Sequence, residues 1–447
     1  MADSIALPPA AGEDRNFRLL LYARVLRSVG ISFSSVALPL YLADLGFSVV
    51  VIGISFLLMT VFGSFLIFLW GPLGDRYGYA RVMIAVEALF VASALIFAFY
   101  PGGALVVILF AAVIGGYGGM GGGGLRGAFG PGMTALVGYL WKGSDERVRR
   151  LGKITLVAGL AGTAGYALLF AQSVISVHTG DIGAFRVVYL STAFSGLGAI
   201  SLLSLIREPV HTRKKERVIT RESGAFVSRI ALSNIVNGVG IGLAIPLLPL
   251  WFLLAFRYNN AEISVIYIVS AILGAVASYF AHEVSSRFGA VTSASAARIA
   301  NGLLLAAMAF APLGIFAAAL YCLRAVSAGV SAPIRQAVTM GGVQENELGA
   351  ATSLTGVAQR ASFTSSGLGG YLLTLSEGLP LEFGGALQVC GGLLFYGLLR
   401  RARMMPPTGT ASPNSVLAKP DELKSWVLSR SWEKPKARSP RSLQSSA

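Results

Sequence analysis

The chain has 447 residues, of which 54% are hydrophobic and 13% charged, and its mean hydropathy is +0.68; that balance belongs to the bilayer and excludes an ordinary soluble domain. A net charge of +15 raises the question of nucleic acid, but the basic residues lie in alternate connections between apolar runs, which is the positive-inside bias of a polytopic membrane protein. Cys322 and Cys390, the only cysteines, both fall in apolar runs and form neither a disulfide framework nor a metal set.

Residues 1–16 carry Asp3, Glu13 and Asp14 and no apolar core, so they read as a cytoplasmic segment and not as a cleaved signal. Twelve apolar runs follow, near 17–43, 49–71, 81–100, 104–141, 152–176, 183–206, 226–256, 262–283, 291–311, 314–340, 348–375 and 381–400. Each is long enough to cross a hydrocarbon core about 30 Å thick as a helix. Strand alternation with regular turn signals is missing, which argues against a barrel. The expectation is an all-α membrane protein with twelve transmembrane helices, an even number that puts both termini on the cytoplasmic side.

The first run carries Arg24 and Arg27 three residues apart on one helical face, and the third carries Glu87, the one acid found well inside a run. Ionisable groups at such depth cost on the order of 3 kcal/mol by insertion scales, so each is a candidate for function. Glu87 reads either as a carrier of a coupling proton or as the partner of a buried arginine. Within the fourth run, GGYGGMGGGG at 115–124 has glycine at eight of ten positions. Glycine costs about 1 kcal/mol against alanine in a helix interior, so Gly121, Gly122, Gly123 and Gly124 mark a break beside a solute pathway, a close helix contact or an external loop. A phosphate loop is a poor reading, because no strand precedes the tract and the Walker pattern is absent.

The polar segment 207–225 divides six runs from six, making a bundle at 17–206, a cytoplasmic linker, a bundle at 226–403 and a disordered cytoplasmic tail from 404. GISFSSVALPLY, starting at Gly30, matches GIGLAIPLLPLW, starting at Gly240, at an offset of 210. With that offset Arg24 and Arg27 fall opposite Asn234 and Asn237. DRYG at 75–78 falls opposite SRFG at 286–289, an offset of 211, and Arg126 opposite Arg324, an offset of 198. The fall of 13 places extra residues in the first half between Gly78 and Arg126, where the glycine tract lies. The fold class is thus two pseudo-symmetric six-helix bundles.

Between the second and third runs stands GPLGDRYGYAR, which resembles the cytoplasmic signature of the major facilitator superfamily, G-x-x-x-D-(R/K)-x-G-x-(R/K)-(R/K). Gly71, Asp75, Arg76, Gly78 and Arg81 match, Ala80 replaces one expected base, and the second copy has Ser286 where the family has its acid. LRGAFGP resembles the family's fourth-helix arginine motif through Arg126 and Gly130, while the fifth-helix antiporter signature is not present. The resemblance implies a secondary transporter that works by alternating access and a cytoplasmic latch formed by the Asp75 loop.

On this reading the protein is no enzyme. It moves a small solute, an organic anion or other small metabolite, with protons as a coupling partner; it needs no cofactor or metal and sits as a monomer in the cell membrane without nucleic acid. Arg27, Glu87, Arg126, Asn234, Asn237, Arg324 and Gln359 are the pathway candidates. Export of amphipathic drug-like compounds, or a receptor role without transport, are the alternatives.

Overall fold

The computed structural model describes residues 11–100, 103–115, 144–208, 221–341 and 362–402, with single positions at 129, 133, 136, 137, 140 and 358. Among the described residues there is helix and no strand. The first half runs through α1 (Ala11–Asp44), α2 (Val49–Tyr77), α3 (Tyr79–Phe99), α4 (Leu105–Gly115) and α5 (Ser144–Ser204). α5 holds the fifth and sixth spans, because Gly180 at φ 73° and ψ 163° breaks it into two helices.

The second half comprises α6 (Arg221–Ala244), a 3-10 turn at Ile245–Leu247, α7 (Leu248–Phe256), α8 (Asn260–Tyr279), α9 (Ala281–Phe288), α10 (Ala290–Met308) and α11 (Gly314–Gly341). A 3-10 turn at Ser362–Ser365 then leads to α12 (Ser366–Leu375), and α13 (Leu379–Ala402) closes the bundle. Eight of these described stretches are long and apolar enough to cross a membrane. Their outward faces carry exposed Phe99, Val106, Phe194 and Phe316, which suits hydrocarbon and not water.

The repeat seen in sequence has a backbone counterpart. Gly78 and Gly289 both adopt left-handed φ, 96° and 84°, and the N–H of each bonds back four residues, to Gly74 at 2.8 Å and Ser285 at 2.9 Å. A side chain is strained at such φ, so the same tight turn needs glycine in both halves. The opening spans differ. α1 continues through Pro39, whereas its twin gives way to a 3-10 turn where Pro246 joins Pro249, since two prolines remove two ladder donors within one turn.

The loops at Gly46, Gly180 and Arg257 lie at one end of the bundles and those at Gly78 and Gly289 at the other. At the Gly46 end a single apolar core draws on both halves, including Phe33, Ile52 and Tyr166 from the first and Trp251, Tyr267 and Leu373 from the second. Toward the Gly78 end the cores separate. One contains Leu20, Met83 and Leu203 of the first half, and another Ile230, Val291 and Phe395 of the second.

Candidate functional site

Among the described residues, the contacts that join the halves at the Gly46 end come chiefly from three helix pairs, α1 with α7, α2 with α12, and α5 with α8, with the two 3-10 turns adding to the first two. Gly53 and Gly370 bring α2 and α12 so close that a Cβ on Gly53 would stand 2.8 Å from the Gly370 Cα and 2.9 Å from the Ser366 carbonyl oxygen. Between α5 and α8, Ser264 donates to the Tyr166 carbonyl at 2.7 Å and the Asn260 amide donates to Gln172 Oε1 at 2.9 Å. Small residues let backbones approach, and polar groups then bridge them. This end is shut.

Just inside that seal, aromatic rings from both halves converge. Tyr166 of α5 lies 5.5 Å from Tyr267 of α8, and Tyr267 lies 5.1 Å from Tyr321 of α11. One turn beyond Tyr321 stands Arg324, its guanidinium 5.7 Å from the Tyr321 ring. Arg324 is 7% exposed. Its Nε is buried without a hydrogen-bond partner, and among the described residues no carboxylate pairs with it. An arginine ten residues into a 28-residue helix sits about 15 Å from the helix start, near mid-depth. Tyr166, Tyr267 and Tyr321 escape sequence reasoning because tyrosines in an apolar run look like ordinary core.

Arg27 and Glu87 meet inside the first bundle. The Arg27 guanidinium donates to the Glu87 carboxylate in an ion pair that is 3% and 0% exposed on its two sides. The guanidinium also lies 4.6 Å from the Phe129 ring and 5.3 Å from that of Phe90, so aromatic faces supply part of the stabilisation that water would give. Arg24, 2% exposed, has its guanidinium 5.8 Å from the same Phe129 ring.

Offset by 211, the place of Glu87 is taken by Arg298. Arg298 donates to Ser233 Oγ at 2.8 Å and to Asn234 Oδ1 at 2.5 Å. The buried arginine thus stands on the third span of this bundle instead of the first, and a neutral hydroxyl and amide face it in place of a carboxylate. Asn237, 5% exposed, packs against Gly391 of α13, where a Cβ would come within 2.7 Å of its own Cβ. The two asparagines are therefore turned into the second bundle.

In the signature loop Arg76 and Arg81 are exposed, and the Arg76 guanidinium lies 5.3 Å from the Tyr77 ring. Glu208, just past the sixth span, accepts from the Tyr79 and Ala80 backbone N–H groups at 3.0 and 3.1 Å. A carboxylate on two orphan donors caps α3 and complements the helix dipole. Sequence reasoning missed Glu208, whose one signal is an acid directly after an apolar run. Arg126, Gln359 and Gly121, Gly122, Gly123 and Gly124 lie outside the described residues, as does the Asp75 side chain, while Gly71 lies within α2.

A family model described as Major Facilitator Superfamily matches residues 20–367. Comparison with curated proteins finds no match. Among solved structures, the chain resembles a POT family transporter crystallised in meso, with TM-score 0.69, 10% identity, 89% of this chain covered and 100% of that one. It also resembles a D-xylose–proton symporter, with TM-score 0.67, 14% identity and coverage of 86% and 98%. A bacterial homologue of the iron transporter ferroportin in an inward-facing state gives TM-score 0.65, 14% identity and coverage of 86% and 98%. At such identities these likenesses show the fold alone.

Proposed function

Because the chain belongs to the major facilitator superfamily and is a multi-pass membrane transporter, not an enzyme, we propose that it is a secondary active carrier moving a small organic anion or similar metabolite across the cell membrane by alternating access. The observation that carries this reading is Arg324. A guanidinium near mid-depth with no carboxylate beside it among the described residues is costly unless an anion neutralises it at some stage. The tyrosines around it come from both halves, so a solute held there would touch both and respond to their movement.

The clustering of basic residues in alternate connections supports placing the Gly78 end in the cytoplasm, with both termini there. With the Gly46 end sealed and the cores separate at the other, the conformation then corresponds to a carrier open to the cytoplasm. Glu208 holds the signature loop on α3, which supports a latch that forms when the cytoplasmic end shuts. The complete burial of Glu87 against Arg27 supports a structural pair over a proton carrier. Protons remain the proposed coupling ion, carried elsewhere.

The test is uptake by the purified protein in sealed vesicles, across a panel of organic anions, neutral metabolites and amphipathic drugs, with and without a pH gradient. Anion uptake that falls more than about 10-fold in kcat/KM in Arg324→Gln is the expected result; tenfold corresponds to about 1.4 kcal/mol of lost transition-state binding. No movement of any solute refutes the carrier reading. The aromatic cluster favours one second reading, export of amphipathic aromatic compounds, which Arg324→Gln would leave intact. Saturable binding without counterflow would indicate a receptor.

A further inference from the structure

The tyrosine cluster divides unequally between the halves. Tyr267 and Tyr321, with ring centres 5.1 Å apart, both belong to the second half, and so does Arg324, whose guanidinium stands 5.7 Å from the Tyr321 ring. Packing around Arg324 fixes their relative placement. The Asn301 amide of α10 donates to the Arg324 carbonyl at 3.2 Å, and α8 lies so close to α11 that a Cβ on Gly274 would stand 3.2 Å from the Ala325 carbonyl oxygen. Ring pair and guanidinium therefore move as one piece. Tyr166 comes from the first half and meets Tyr267 at 5.5 Å.

Asn260, Ser264 and Tyr267 follow one another along a single face of α8, since spacings of four and three residues keep helical side chains on one side. The first two hold α5, through Gln172 and the Tyr166 carbonyl, so Tyr267 continues that seam inward toward Arg324. Opening the Gly46 end parts α5 from α8, and with them Tyr166 from Tyr267. Each of these residues is 3% exposed in the sealed state, so the parting strips two buried rings of a neighbour. A solute ring entering the gap replaces one ring contact by two. Ring atoms pack at about 3.5 Å, so a flat ring needs a gap of about 7 Å between its neighbours. A small movement of the helices is enough.

We propose that the solute is an aryl anion, its ring taken up between Tyr166 and Tyr267 as the Gly46 end opens and its carboxylate or sulfonate bound by Arg324. This deepens the organic-anion reading above and rests on it. Aromatic rings attract one another in offset and edge-on arrangements beyond the area they bury, and the planar guanidinium fork matches a pair of anionic oxygens. The solute ring touches both halves while its charged group touches the second, which sets the ring where the halves part and close. A saturated ring is thicker and has no π face, so it fills the gap without restoring the ring contacts.

The experiment measures kcat/KM for uptake by the full-length protein in sealed vesicles, with probes matched in charge and differing in ring saturation: phenylacetate against cyclohexylacetate, and benzenesulfonate against cyclohexanesulfonate. The aryl member of at least one pair should be preferred by about 3- to 10-fold, the range expected of one or two ring contacts. Tyr166→Leu and Tyr267→Leu should bring that ratio toward one while the saturated member still moves, and Tyr267→Phe, which keeps the ring, should preserve it. Arg324→Gln should slow both members alike and leave the ratio unchanged. Where a leucine variant fails to fold, the wild-type ratio decides, because it needs no substitution. Equal uptake of aryl and saturated anions, still dependent on Arg324, overturns the proposal and leaves the organic-anion reading standing. A ratio that survives in both folded leucine variants also overturns it. Uptake of neither member of either pair overturns it too, and movement of aliphatic anions in the wider panel then shows whether the organic-anion reading falls with it.

Discussion

Replacing Gly53 by alanine is expected to open the Gly46 end of the protein. The added Cβ would meet the Gly370 Cα at 2.8 Å, the Ser366 carbonyl oxygen at 2.9 Å and the Gly370 nitrogen at 3.0 Å. All three are backbone atoms, so no side-chain rotation relieves the clash and α2 must move away from α12. Overpacking of this kind costs about 1–3 kcal/mol. The cost falls only on the state in which the two helices touch, so it shifts the equilibrium between states by roughly 5- to 160-fold. The shift can be read as a distance between spin labels at Asp44→Cys and Glu377→Cys, two exposed positions at this end in opposite halves, in a background with Cys322 and Cys390 replaced. The wild type should give a short, narrow distribution and Gly53→Ala a longer one. A variant that folds and melts normally yet keeps the short distance would refute the assignment of Gly53 and Gly370 to the seal.

Glu87→Gln should lower the melting midpoint substantially, since breaking a buried pair leaves an uncompensated charge at a cost of about 3–5 kcal/mol; adding Arg27→Gln to it should restore part of the loss, and additive damage in this double-mutant cycle would contradict the pairing. Uptake driven by a pH gradient should survive Glu87→Gln in whatever protein folds, and its abolition would return Glu87 to the role of proton carrier. Glu208→Ala removes the cap of α3, worth about 0.5–2 kcal/mol. Hydrogen exchange at Tyr79–Val82 should quicken while that at α8 stays as it was. Ser264→Ala and Asn260→Ala, which each remove one bridge between α5 and α8, should lengthen the same label distance, though by less than Gly53→Ala, because a single hydrogen bond contributes about 1 kcal/mol.

Hydropathy and charge placement were enough to read the spans, because in a bilayer every crossing must satisfy its own backbone and bury no charge without cause. The repeat was legible for a similar reason. Gly78 and Gly289 share a backbone geometry that few other residues adopt, so the same letter recurs in both halves. The site was less legible. Arg27 and Glu87 could each be singled out as costly, but their partnership links residues 60 apart in the chain, and no local pattern encodes it. Asn234 and Asn237 were candidates for the pathway by pseudo-symmetry; the structure turns both into the second bundle, one against Arg298 and the other against Gly391.

What the chain's letters determined alone was a set of properties set by the solvent: an apolar, all-helical membrane protein, duplicated about a basic linker, with a signature loop between its second and third spans. Tertiary structure decided which of the rare polar groups neutralise one another and which stand open, and which end of the paired bundles is sealed. The physical reason is that the bilayer acts on every residue independently and leaves its mark at each position. Ion pairs, ring clusters and glycine contacts such as Gly53 with Gly370 depend instead on distances of a few ångströms between helices far apart in sequence.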